Sequence, residues 1–300
     1  MKNLENRAVE FFFYGNIFIS LCTTALLLQT YVLLDVRMQV DTLAFFVFFS
    51  TLFIYSIHRL FAYRRIPEEK RGPITSWAAR NYFTLFMMTV VGAGGAIIMA
   101  FHLTRAEFIA LMIPGAISFM YEFPLIRHNQ QFKRIRNFWM MKVFLITGVW
   151  GFTTVALPAL EAGFSLFDWR VLMLIVNRSL FILPLAICFD ERDIEFDQAE
   201  GLTTIPIRFG INRMPKIYFQ LIAAFIVLSV IQFGFLPSFR PGVLVGLIAS
   251  GYFTYRMIVN TYPRRHDLYY VVAVDGMMYA QFLLVWLMNA IISFEYLVIK

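Results

Sequence analysis

The sequence predicts an all-α integral membrane protein: a bundle of nine transmembrane helices forming one domain over residues 1–300, with its N-terminus in the cytoplasm. Three observations carry that prediction. Of the 300 residues, 60% are hydrophobic and 15% charged, against roughly 45–50% and 25% in soluble domains, and the mean hydropathy is +0.68. The apolar residues fall in charge-free runs, as expected where about 20 residues must cross a hydrocarbon core of about 30 Å. The basic residues are divided unevenly between the segments joining those runs.

In chain order the runs are 11–34, 42–57, 81–101, 108–121, 143–160, 179–189, 217–239, 242–255 and 276–294. The sixth reaches back to Val171 if Arg178 is accepted inside the membrane. The first is read as a span and not as a cleaved leader. It is too long for a leader's apolar stretch, Glu5 and Glu10 precede it, and no small-x-small site follows. Cys22 and Cys188 both lie in apolar runs, so neither a disulfide framework nor a Cys-type metal site is expected.

Lys and Arg test this partition. Two precede span 1, six lie between spans 2 and 3, five between 4 and 5, four between 6 and 7 and three between 8 and 9, so twenty of the 26 are on one side. The positive-inside rule assigns that side to the cytoplasm. The net charge of +7 therefore reports orientation in a bilayer, and nucleic acid is not an expected partner. The inner connections 58–80, 122–142, 190–216 and 256–267 are long and polar, while the outer ones are short. Function is expected where polar groups crowd the inner mouth of the bundle. No solenoid period, soluble domain or obligate protein partner is evident.

Six of the 19 acidic residues fall between Asp190 and Glu200, at the inner end of span 6. Asp190, Asp193 and Asp197 are spaced i, i+3, i+7, so a continuing helix would carry them on one face. Stacked carboxylates repel unless a cation neutralises them. Mg²⁺ suits such a set, since it takes oxygen ligands and bridges one or two carboxylates to substrate phosphate. The plainer alternative is a solvated acidic helix face. The phasing, the membrane boundary and the tail Gly201-Leu-Thr-Thr204-Ile-Pro206-Ile-Arg208-Phe-Gly210 weigh toward a site.

At this segment the sequence resembles the UbiA superfamily of intramembrane prenyltransferases. The family's second aspartate motif runs Asp-x-x-Asp-x-x-x-Asp-x-x-x-Gly-x-x-Thr-x-Pro-x-x-x-Gly, and Asp190, Asp193, Asp197, Gly201, Thr204, Pro206 and Gly210 match it. Tyr121-Glu-Phe-Pro124-Leu125 is similar to the family's Tyr-Ser-x-Pro-Pro stretch. The resemblance implies a cavity opening at the inner face and laterally into lipid. It also implies Mg²⁺ on Asp190, Asp193 and Asp197, and transfer of a prenyl group from an isoprenyl diphosphate to a small acceptor, aromatic or quinone-precursor in character. The expected location is a bacterial inner membrane, with the active face cytoplasmic.

The family's first motif, Asn-Asp-x-x-Asp-x-x-x-Asp, should end span 2. There Ser56 takes the Asn position, and Ile57, Leu60 and Arg64 stand where the aspartates would be. Two outcomes follow physically. His58, Arg59 and Arg64 could hold the diphosphate directly, since guanidinium donors match phosphate oxygens. Alternatively, Arg59 and Arg64 could pair with Asp193 and Asp197 across the bundle mouth. Ser56, Lys70, Arg71, Thr204 and Arg208 complete the expected diphosphate contacts, and Tyr121 the acceptor pocket, although a tyrosine also suits the membrane interface. Asp275, inside span 9, is either a site residue or an internal partner of Arg178 or Asn177. The loss of the first motif leaves a second function open: a non-catalytic protein binding an isoprenoid, quinone or anionic lipid without Mg²⁺. A transporter is disfavoured, because intramembrane charge is sparse and no inverted repeat is visible.

Overall fold

Each apolar run becomes a helix, and the departures occur where a polar or conformational signal intervenes. In the computed structural model, which describes residues 2–66, 68–122, 126–128, 131–133, 141–199, 201–235, 239–261 and 265–298, the first run is divided. Helix α1 (Lys2–Tyr14) stops and α2 (Ile17–Leu34) begins afresh, because Asn16 between them adopts a left-handed φ of 67°. Asp41 starts α3 (Thr42–Arg65) by accepting hydrogen bonds from the backbone of Leu43 and Ala44, the standard role of an N-cap carboxylate. The expected connection 58–80 does not open at residue 58. Helix α3 continues to Arg65 and turns extended only at Ile66, the residue before Pro67, where proline sterics disfavour helix.

Most of the remaining connection is the short helix α4 (Pro73–Arg80), followed by α5 (Tyr82–Ala100). A reciprocal pair of bonds between Thr104 and Glu107 caps α6 (Arg105–Glu122). After a small antiparallel hairpin of β1 (Ile126–His128) and β2 (Gln131–Lys133) come α7 (Met141–Glu161) and α8 (Trp169–Arg192). Helix α8 takes the longer of its two readings. Arg178 is tolerated inside it because the guanidinium donates to Gln29 at 2.5 Å, to Gln281 at 3.2 Å and to the Leu26 carbonyl at 3.2 Å. Short helices α9 (Ile194–Ala199) and α10 (Ile205–Phe209) lead to α11 (Met214–Val230) and α12 (Pro241–Ile258). The last run starts earlier than expected. One helical turn, α13 (Asp267–Tyr269), passes through a π-turn at Tyr270–Val274 into α14 (Gly276–Val298).

Among the described residues, seven segments are long and apolar enough to cross a membrane. Helices α6 and α12, of 18 residues each, stand at the other two predicted runs. Helix α2 is central, packing against α3, α7 and α14. Phe83, Ile97 and Ile98 of α5 and Ile109 and Met112 of α6 are each more than half exposed. In water such a belt would be an aggregation surface, whereas in a bilayer it faces lipid.

Helix α5 lies against α3 at very short range. A Cβ at Gly92 would stand 2.6 Å from the Phe53 backbone nitrogen, while one at Gly94 meets nothing within 4 Å. Without a hydrophobic drive between helices in lipid, such close backbone approach supplies much of the packing. Gly92→Ala should therefore cost about 1–3 kcal/mol. Gly94→Ala, two residues away, should be neutral or stabilising by up to about 1 kcal/mol. Unfolding of both variants in mixed micelles measures the difference.

Candidate functional site

A cavity of about 980 Å³ lies where α1, α2, α3, α4, α7, α8, α9 and the start of the last span meet. Its apolar wall includes Phe13, Tyr55, Trp150, Leu185, Phe189 and Met278. Its polar wall carries His58, Arg59, Lys142, Asp190, Arg192, Asp193, Asp267 and Asp275.

The acidic end of α8 is built by a helix break. The helix ends at Arg192, and Asp193 adopts a non-helical φ, ψ of −97°, 13° before α9 starts at Ile194. The single face expected from the i, i+3, i+7 spacing is therefore not continuous. Asp190 and Asp197, both buried, converge on Lys142 of α7. Its Nζ lies 2.8 Å from Asp190 Oδ1 and 3.2 Å from Asp197 Oδ2. Asp193 instead takes a two-pronged contact from Arg192, at 2.7 and 2.9 Å. The Arg192 guanidinium also stands over the rings of Phe189 and Tyr270, at 5.0 and 5.5 Å. Downstream, Gly201 and Gly210 both have positive φ, 69° and 82°, the left-handed geometry that glycine adopts without steric cost. The Leu202 amide returns to the Asp197 carbonyl at 2.8 Å, which anchors α9. Thr204 is buried, and its Oγ1 has no hydrogen-bond partner.

The opposite wall comes from α3. Arg59 lines the cavity and donates to the carbonyl oxygen of Tyr14, the last residue of α1, where unpaired carbonyls favour a cation. Burial, together with the nearby carboxylates of Asp267 and Glu10, raises the Tyr14 phenol above its ordinary value, with Arg59 opposing them. His58 also lines the cavity. Ser56 is fully buried, and its hydroxyl accepts from Asn16 at 3.1 Å. Arg64 lies outside, with its guanidinium 5.9 and 5.6 Å from the ring centres of Tyr63 and Tyr82. It does not reach Asp193 or Asp197. Arg71 donates to the Ile66 carbonyl at 3.1 Å, and Arg208 is exposed beside Phe209. The side chains of Lys70 and Tyr121 lie outside the described residues.

Asp275 has different neighbours from those expected. Arg178 is taken by Gln29 and Gln281, and Asn177 donates to Ser229 at 2.9 Å and to the Phe225 carbonyl at 3.3 Å. The π-turn, closed by the Asp275 amide on the Tyr270 carbonyl at 3.0 Å, directs Asp275 into the cavity. There it interacts electrostatically with Arg192 and Arg59. A π-turn in a helix often marks a functional position.

Four charged cavity residues escape the sequence reading: Lys142, Arg192, Glu195 and Asp267. By sequence Lys142 and Arg192 are ordinary members of the basic residues in 122–142 and 190–216. Asp267 approaches the backbone at Gly72, where a Cβ would come within 3.0 Å of its Oδ2. No spacing within the chain links residues 72 and 267.

The donor set fits Mg²⁺ in part. The ion takes oxygen donors and commonly uses only one or two carboxylates, completing its shell with water and phosphate. Asp190 and Asp197 meet that need: they converge on one point, and Asp190 Oδ2 is buried without a hydrogen-bond partner. Among the described residues, no group of three acidic, His or Cys side chains could hold an ion unaided.

No protein-family model matches the sequence, and no curated protein matches it. Solved structures do. A structure of a digeranylgeranylglyceryl phosphate synthase aligns over 97% of this chain and 98% of its own, at 14% identity and a TM-score of 0.55. A UbiA homologue from Archaeoglobus fulgidus bound to DMAPP and Mg²⁺ aligns over 92% and 99%, at 13% identity and a TM-score of 0.60. A UbiA homologue from Archaeoglobus fulgidus bound to GPP and Mg²⁺ aligns over 93% and 99%, at 14% identity and a TM-score of 0.59. The chain thus has the UbiA fold along nearly its whole length.

The Arg192 cluster makes a test of the local electrostatics. Arg192→Leu strips the cation from Asp193 and from its neighbours Asp267 and Asp275. Removing one partner of a buried pair costs about 3–5 kcal/mol, and partial solvation of Asp193 reduces this to about 2–3 kcal/mol. The double variant Arg192→Leu/Asp193→Leu should recover most of that loss in denaturant unfolding.

Proposed function

We propose that this chain transfers a prenyl group from an isoprenyl diphosphate to a small acceptor inside the membrane, aromatic or quinone-precursor in character. The observation that carries the reading is a cavity with an aromatic wall that ends at two convergent carboxylates, Asp190 and Asp197, within a fold shared with UbiA homologues. Its volume of about 980 Å³ is at the upper end of ordinary ligand sites, enough for a head group and a chain together.

In this reading the diphosphate lies at the polar end. Mg²⁺ on Asp190 and Asp197 would offset the charge of the leaving group when bound. Arg59 and Arg192 donate to phosphate oxygens with the forked geometry that suits them, and His58 adds a further donor. Asp193 acts on Arg192, fixing where the guanidinium points. Phe189, Tyr55 and Trp150 receive the prenyl chain; Tyr55 and Trp150 meet edge to face at 6.3 Å. As the allylic C–O bond breaks, its electron pair leaves with the diphosphate, and the ring faces stabilise the cation left behind. A nucleophilic carbon of the acceptor bonds to it and loses a proton. The apolar walls keep competing water away.

The reading places the whole chain in one transmembrane domain with nine crossings. The N-terminus and the mouth of the cavity face the cytoplasm across a bacterial inner membrane. Its support is the gathering of twenty of 26 basic residues on that side. A second reading, non-catalytic binding of an isoprenoid, quinone or anionic lipid, is favoured by one observation: Asp190, Asp193 and Asp197 are all engaged by side-chain cations.

Prenyl transfer from labelled DMAPP or GPP in membranes separates the two. The wild type should transfer label to lipid-soluble acceptors and stop on chelation of Mg²⁺. Asp190→Asn/Asp197→Asn should lose more than about a hundredfold, beyond the range for groups that only touch metal ligands. Equal transfer by both proteins overturns the assignment. Chelator-insensitive binding without transfer moves it to the second reading.

A further inference from the structure

The acidic end of α8 already contains a cation. Lys142 Nζ stands 2.8 Å from Asp190 Oδ1, and 3.2 and 3.5 Å from the two oxygens of Asp197. Both carboxylates are 2% exposed, so their charge is poorly screened by water and each depends on what it touches. The second oxygen of Asp190 has no hydrogen-bond partner. One ammonium thus serves two carboxylates, with an unsatisfied acceptor oxygen at the same point. Lys142 itself lines the cavity, and its flexible four-carbon stem gives its point charge freedom to move.

We propose that Lys142 is the resident counter-ion of this site. It holds Asp190 and Asp197 together in the metal-free protein, competes with a divalent cation for them, and is released toward the cavity when the metal and a diphosphate arrive together. Metal binding alone is weak by this account, because the ion must displace an ammonium. It is strong in company with a diphosphate, which offers Lys142 a new anion. The diphosphate half rests on the prenyl-transfer reading above; the competition with metal does not.

Mn²⁺ binding to detergent-solubilised protein, read by electron paramagnetic resonance, tests this without turnover. Lys142→Gln removes the charge but keeps a donor between the carboxylates, and should bind Mn²⁺ about ten- to hundredfold tighter than wild type, the scale on which groups touching metal ligands act. Lys142→Arg keeps the charge and should stay at the wild-type value. Lys142→Met should match the Gln variant if it folds, and the Gln variant decides if it does not. Adding Asp190→Asn to Lys142→Gln should abolish the gain. Equal Mn²⁺ affinity in wild type and Lys142→Gln overturns the proposal, as does a gain that survives Asp190→Asn. Inorganic pyrophosphate, added in a second arm, should tighten Mn²⁺ binding more in wild type than in Lys142→Gln. If it acts on neither protein, the diphosphate reading falls, while the first arm still decides the role of Lys142.

Discussion

The contact between Lys142 and the carboxylates of Asp190 and Asp197 joins charges that each sit at the unfavourable end of a helix. Lys142 is in the first turn of α7, where the positive end of the helix dipole disfavours a cation. Asp190 is in the last turn of α8, where the negative end disfavours an anion. Packing α7 against α8 brings these ends together and offsets both penalties with one short ion pair. The same contact reaches past the helix break to Asp197, so it also fixes how α9 leaves the bundle. The position of α9 in turn sets the Gly201 turn and the buried Thr204. Much of this end of the bundle is arranged around a single ammonium group.

The charge balance of the cavity limits what can enter it. Arg59, Lys142 and Arg192 line it against Asp190, Asp193, Glu195, Asp267 and Asp275. Among the described lining residues acids outnumber bases, and in a recess of low polarity charge is felt more strongly than in water. A diphosphate arriving alone would face these carboxylates unshielded, whereas one arriving with a divalent cation would not. The prenyl-transfer reading therefore needs the metal on electrostatic grounds specific to these residues. A neutral ligand such as a quinone faces no such barrier, which keeps the non-catalytic reading physically coherent.

Membrane-crossing helices were legible because crossing a bilayer requires an apolar run, and seven of the nine runs hold a segment that is long and apolar enough among the described residues. Helix ends were less legible where one local residue overrode the run, as at Asn16 and at Pro67. Asp190 and Asp197 could be singled out by spacing, since periodicity along a helix is a property of the chain itself. Their partner could not. By sequence Lys142 is one of 26 basic residues, and only the packing of α7 on α8 separates it from the rest. Asp275 was visible as an intramembrane charge, but its neighbours were not, because the π-turn that redirects it has no sequence signature. Arg64 and Arg71 looked like phosphate ligands by residue type, yet aromatic rings and a backbone carbonyl hold them outside the cavity.

The C-terminal half of α3 carries no carboxylate, and other contacts occupy it. Ser56 is bonded to Asn16, Arg59 reaches the last carbonyl of α1, and Tyr14 packs edge-on against Trp77 of α4 at 6.1 Å. These residues brace the N-terminal helix. Within α3, His58 and Arg59 bring basic groups to the cavity, with the Tyr55 phenol beside them. The two walls are thus chemically unequal: one offers paired carboxylates, the other a guanidinium and an imidazole. A head group carrying several anionic oxygens can satisfy both walls at once, meeting a metal-bridged carboxylate pair on one side and fixed donors on the other. A ligand of one uniform polarity cannot. This asymmetry argues for a phosphorylated ligand over a purely apolar one.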